Sequence, residues 1–170
     1  PHIEQFIIDN RDRLGCDYVV SADGGQFGEE QPNLLVGFKG LCAVEIELTG
    51  PERDLHSGQY GGTVQNPIHA LARLIASMRD DEGRITIEGF YDEVVTPSQA
   101  DSQQIAEIPH DDAEFAQGLG VDHLFGEPGY STLERAWCRP TLEVNGTWGG
   151  FLDDGVKTVL PSKAHAKITC

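Results

Sequence analysis

The sequence predicts an α+β fold: an antiparallel sheet with helices on one face, preceded by a helix–strand piece of a parallel α/β domain. Three observations carry that expectation. Val44, Ile46 and Leu48 alternate with Glu45 and Glu47, and Ala164, Ala166, Ile168 and Cys170 alternate with Lys163, His165, Lys167 and Thr169. Strict alternation marks strands with one wet face, as in antiparallel sheets. Between them, Ile68, Leu71, Ala72, Ile75 and Met78 recur at helical spacing. The first twenty residues follow a different plan, a helical stripe and then a short β-prone run.

In chain order, Ile3, Phe6, Ile7 and Leu14 make the first stripe, with Gly15 as the stop signal. Tyr18-Val19-Val20 reads as a short buried strand that ends in the polar loop Ser21-Ala22-Asp23-Gly24-Gly25. In open α/β sheets, ligands gather at the carboxyl ends of strands. Asp23 stands at such an end. Residues 26–33 read as loop. After the strand around Ile46 comes a glycine loop holding His56. Asn66 then offers an N-cap and Pro67 suits a first helical turn. Asp80-Asp81-Glu82-Gly83 closes that helix, and residues 84–87 read as a short strand.

Residues 96–140 are polar and irregular, and read as an insertion on a simpler plan. Two short helices are expected in them, over 112–119 and 133–137. The second has a capping box, Ser131 with Glu134. Residues 141–145 read as a strand and 146–155 as a glycine-rich loop around Trp148. The domain expectation is therefore residues 1–39 for the end of one domain and 40–170 for a second.

Composition narrows the function. The 170 residues carry a formal net charge of −16, which argues against nucleic acid and anionic membrane surfaces. There is no apolar run of membrane-spanning length, and Cys16, Cys42, Cys138 and Cys170 show no C-x-x-C pairing. Four scattered cysteines make no disulfide scaffold, so the expected compartment is the cytoplasm. Cys42 and Cys170 fall on strand positions and read as small buried hydrophobes. Metalloprotease, nucleophile-elbow and nucleotide-loop signatures are missing from the sequence. On spacing alone, the alternatives remain an enzyme piece and a non-enzymatic α+β module for self-association.

Several segments together resemble the co-catalytic di-metal peptidase family of carnosine dipeptidases, aminoacylase and glutamate carboxypeptidases. They are Asp54-Leu55-His56-Ser57-Gly58 with Tyr60-Gly61-Gly62, the helix from Asn66-Pro67, residues 83–91, Arg139-Pro140-Thr141-Leu142, Asn145-Gly146, and Lys157-Thr158-Val159-Leu160-Pro161. The resemblance implies a fragment covering the lid, or dimerisation, domain, of ferredoxin-like plan and incomplete at its C-terminus. It implies that Asp23 binds a metal and that His56 reaches into the partner subunit's active site to polarise the scissile carbonyl. It places Thr158 against substrate and Asn145 towards the cleft.

The parent it implies is a metal-dependent dipeptidase or amidohydrolase acting on dipeptides or N-acyl amino acids. Its cofactors would be two divalent ions, zinc with manganese as the alternative, and it would be a homodimer through the lid. The family's catalytic glutamates, histidine ligands and substrate-carboxylate arginine match no position here. The isolated fragment is therefore expected to be inactive and to hold no metal tightly.

Overall fold

The computed structural model describes residues 2–20, 25, 33, 35 and 37–170. The chain divides into two compact units, Pro1–Gly37 and Phe38–Cys170.

In the first unit, helix α1 (Ile3–Asp9) passes directly into the single turn α2 (Arg11–Leu14). The expected single stripe is thus broken at Asn10, whose side chain donates to the Phe6 carbonyl at 2.8 Å. Asparagine competes for backbone groups in this way and disfavours helix interiors. Tyr18, Val19 and Val20 form no strand, and stand 88, 86 and 90% exposed. A strand needs a neighbour, and the described residues of this unit provide none to pair with.

The second unit is built on a three-stranded antiparallel sheet in the order β1-β5-β3. Strand β1 is Ala43–Thr49, β3 is Glu143–Gly149 and β5 is Lys163–Thr169. β5 lies in the middle and pairs with both neighbours, Ile46 and Thr147 both facing Ala166. β3 starts two residues later than expected and runs through Gly146 and Trp148, so the anticipated glycine loop is half strand. Its register shifts between Val144 and Gly146, leaving Asn145 at a β-bulge.

Helix α4 (Pro67–Ser77) packs on β5 and β1. Asn66 caps it by accepting from the Ile68 N–H at 2.9 Å, with Pro67 in the first turn. Ala164 and Ala166 are 0% exposed and, with Leu71, form one core cluster. Alanine at these positions lets the helix approach the strand closely. Met78, Ile85, Leu142 and Ile168 make a second cluster beside it. Ile85 contributes through an isolated bridge to Arg79, not through the strand expected at 84–87. On the opposite face of the sheet, Trp148 stacks on His165 with ring centroids 4.8 Å apart.

Residues 96–140 hold three short helices: α5 (Gln99–Ala106), α6 (Asp112–Leu119) and α7 (Thr132–Trp137). The last two match expectation, including the Ser131–Glu134 capping box. The first was legible too, because Ser98 and Asp101 form a second capping box, but its polar sequence shows little apolar periodicity. Ser102 donates to Glu134 at 2.6 Å, tying α5 to α7.

A buried ion pair closes this segment on itself, and Arg84, from outside it, reaches the same Glu127 at 3.8 Å. Arg139 donates from Nε and Nη2 to the two Glu127 carboxylate oxygens at 2.8 and 2.9 Å. Its guanidinium lies 4.4 Å from the Tyr130 ring centroid and 5.2 Å from that of Tyr91. Breaking a buried pair from one side leaves an uncompensated charge, at a cost of about 3–5 kcal/mol. Glu127→Ala should therefore lower the unfolding free energy by about that much in denaturant titration. The double variant Glu127→Leu/Arg139→Met should lose far less. A loss in the double variant as large as in Glu127→Ala would show that the paired charges themselves are worth more than an apolar pair of similar volume.

Candidate functional site

The motif from Asp54 to Gly62 folds into a two-residue strand and one helical turn. Strand β2 (Leu55–His56) pairs antiparallel with β4 (Val159–Leu160), His56 facing Val159. The turn α3 (Ser57–Tyr60) follows at once. His56 is therefore held on a strand end and not on the loop expected from the glycines. The Ser57 N–H donates to the Thr158 carbonyl at 3.1 Å and extends the ladder by one step. Leu160, 3% exposed, anchors it.

That ladder brings two of the expected site residues together. Thr158 Oγ1 and His56 Nε2 are 3.2 Å apart, and both residues are exposed. With Nε2 unprotonated the threonine hydroxyl donates to it; with Nε2 protonated the ring donates to Oγ1. A side chain separated by a hundred positions in sequence thus fixes the imidazole's azimuth. Asn145 lies on β3 at the bulge, outside the β2–β4 ladder that carries this pair. Asp23 lies outside the described residues.

Two further features set the histidine's position. Asp54 accepts from the Ser162 N–H at 2.8 Å and the Ser162 hydroxyl at 2.9 Å. These bonds lock the start of β2 to the turn between β4 and β5. They also hold the Asp54 carboxyl below the usual carboxylate range, the backbone N–H contributing most, against a small opposing effect of burial. Gly58 leaves room for the ring: a Cβ there would stand 2.9 Å from His56 Cε1 and 3.2 Å from Nδ1. In the sequence the glycines read as turn formers. What Gly58 supplies is space beside an imidazole. Beyond α3, Ser57, Gly61, Asn66, His69 and Leu160 line a cleft of about 510 Å³.

The described residues form no metal centre of their own. Among the described residues no three histidine, cysteine, aspartate or glutamate side chains converge on one point. What the site offers is a solvent-facing imidazole, oriented by a hydroxyl, that can donate or accept a hydrogen bond. Among the described residues no helix is long and apolar enough to cross a membrane.

Residues 36–170 match the model of an M20 peptidase dimerisation domain. The chain belongs to that family. The segments Asp54 to Gly62 and Lys157 to Pro161 contain both strands of the β2–β4 ladder. The chain is 33% identical to the Cys-Gly metallodipeptidase dug1 of Schizosaccharomyces pombe, over 91% of this chain and 32% of that protein. Among solved structures it is similar to an M20 family metallo-carboxypeptidase from Sulfolobus solfataricus, at TM-score 0.79 and 32% identity, over 98% of this chain and 38% of that one. Human carnosine dipeptidase 1 superposes at TM-score 0.78 with 27% identity, over 98% and 36%. The chain spans about a third of the length of the curated relatives it matches.

Two outcomes are expected from this geometry. The Asp54 carboxyl is lowered on folding, so its contribution to stability is complete above the unfolded value of about 3.9 and disappears as pH falls through the lower folded value. Asp54→Asn should unfold at lower denaturant than wild type at pH 7, and the gap should narrow below about pH 3.9. A pH-independent gap would mean that the charge plays no part. Gly58→Ala should displace the His56 ring from Thr158. Imidazole NMR should then show shifted His56 signals while backbone amides of the sheet stay in place. Unmoved His56 signals would contradict the close approach.

Proposed function

We propose that this chain is the lid and dimer-forming part of a metal-dependent dipeptidase or related amidohydrolase. On this reading residues 1–39 close the first segment of a catalytic domain. Residues 40–170 form the lid, with an insertion at about 96–140. His56 serves an active site completed by a second subunit, where it steadies the negative oxygen that develops as the scissile amide is attacked. Thr158 orients that imidazole and lies against the substrate. Asp23 belongs to a metal site whose other ligands lie outside this chain, for two divalent ions, zinc with manganese as the alternative. The chain alone is inactive, and the assembled parent is a cytoplasmic homodimer.

The observation that carries the reading is the pairing of His56 with Thr158 on the β2–β4 ladder, at 3.2 Å, in a family motif. A histidine kept only for folding gains most by burial and full hydrogen bonding. His56 is exposed, its ring space is reserved by Gly58, and its neighbour is a hydroxyl that sets direction. That is pre-organisation for a partner not in the fold. The relatives named as metallodipeptidases and as a metallo-carboxypeptidase support the reaction class. The outer edges of β1 and β3, unpaired among the described residues, support assembly through the sheet.

A donor aimed at a transition-state oxyanion contributes mainly to turnover, and its removal costs about 100- to 1000-fold in kcat. His56→Ala in the full-length parent should lower kcat by about that factor, with metal content and melting temperature unchanged. His56→Asn should recover little, since its amide is shorter and carries no charge. Unchanged kcat with a lower melting temperature would assign the residue to folding instead.

A further inference from the structure

Cys42 and Cys170 form the last rung of the β1–β5 ladder. The Cys42 N–H donates to the Cys170 carbonyl at 2.9 Å, and the Cys170 N–H donates back to the Cys42 carbonyl at 2.8 Å. This continues the register in which Ala43 faces Thr169 and Val44 faces Ile168. The two cysteines therefore stand directly opposite one another. Their side chains leave the face shared by Val44 and Ile168, two positions on in each strand.

A residue pair that exchanges both backbone bonds has Cα atoms about 5.5 Å apart. A disulfide accepts about 4.4–6.8 Å. The Cβ atoms of such a pair start about 4.5–5.5 Å apart and must close to about 3.5–4.5 Å. Cys42 lies one residue before β1, so closing the Cβ gap shifts only this last rung of the ladder. Cys170 is half-buried against the cluster of Met78, Ile85, Leu142 and Ile168. Its thiol is pushed up by burial first and by the charge of Cys42 second.

We propose that Cys42 and Cys170 are a reversible cross-strand disulfide site, closed by a small-molecule disulfide of the glutathione type. The exposed Cys42 loses its proton to solvent, and its thiolate attacks one sulfur of the oxidant. One glutathione thiolate leaves and a mixed disulfide remains on Cys42. Cys170 then loses its proton, and its thiolate attacks the Cys42 sulfur and expels the second glutathione. Two protein thiols are oxidised to one disulfide, and the oxidant is reduced to two thiols. The second unit begins at Phe38, so the bond clamps the segment by which the chain enters it to the central strand of the sheet.

The test is the full 170-residue chain, reduced and then incubated with glutathione disulfide under native conditions. Remaining thiols are alkylated, and the protein is digested without reductant for mass spectrometry. The expected product is one peptide pair joined through Cys42 and Cys170, with Cys16 and Cys138 alkylated. Its mass should fall short of the reduced pair by two hydrogens. The link should be absent in Cys42→Ser and in Cys170→Ser. It should raise the melting temperature of the wild-type chain, and dithiothreitol should reverse both effects. Oxidation in strong urea should give scrambled pairings, which shows that the sheet directs the native product. A persistent glutathione adduct on Cys42 with Cys170 still free would overturn the proposal, as would a native link to Cys16 or Cys138.

Discussion

Strand β5 carries hydrogen bonds on both edges and two alanines with no exposed surface, and the rest of the second unit is arranged around it. The small side chains of Ala164 and Ala166 set how closely α4 approaches the sheet. Any larger residue there would push the helix away, because a packed interior has no spare volume. The opposite face of the same strand carries Lys163, His165 and Lys167. Lys163 pairs with Glu47 at 2.7 Å, and His165 lies beneath Trp148. One seven-residue strand thus sorts an apolar layer from a polar one and fixes both neighbouring strands.

The site follows from what precedes β5. Leu160 enters the core just before the chain turns at Pro161 and Ser162, and Ser162 is where Asp54 attaches. The Gly50 N–H also donates to the Ser162 carbonyl at 2.7 Å. The end of β1, the start of β2 and the start of β5 therefore meet at one residue. The two-residue ladder that bears His56 would be marginal as an isolated hairpin. Here it is the projecting tip of a corner already fixed by the sheet, which keeps the imidazole exposed and yet directed.

How much of this was legible in the sequence depended on how local its cause was. The alternation of Val44, Ile46 and Leu48 and of Ala164, Ala166 and Ile168 gave both long strands, and Asn66-Pro67 gave the start of α4. Capping boxes gave α7, and the same chemistry at Ser98 was available for α5. Tyr18-Val19-Val20 failed because β propensity states a preference and supplies no partner strand. The strand position of Cys42 predicts burial, yet the residue lies beyond the edge of the core and is exposed. His56 and Thr158 were singled out by family resemblance. Their contact depends on pairing across a hundred residues, which periodicity does not report. The role of Gly58 as reserved space beside the ring was invisible for the same reason. Asp23 lies outside the described residues.

The central claim is that the lid delivers His56 to an active site completed by another subunit. Mixed dimers test it most directly. One subunit of the full-length parent would carry His56→Ala, and the other would keep His56 but have its own catalytic centre disabled outside this chain. Each is expected to be nearly inactive as a homodimer. If His56 acts across the interface, mixing the two restores activity at one of the two sites in each mixed dimer, where an intact catalytic centre meets an intact histidine. If mixed dimers form and activity stays at the level of the separate variants, His56 does not serve the partner subunit's site and the account is contradicted.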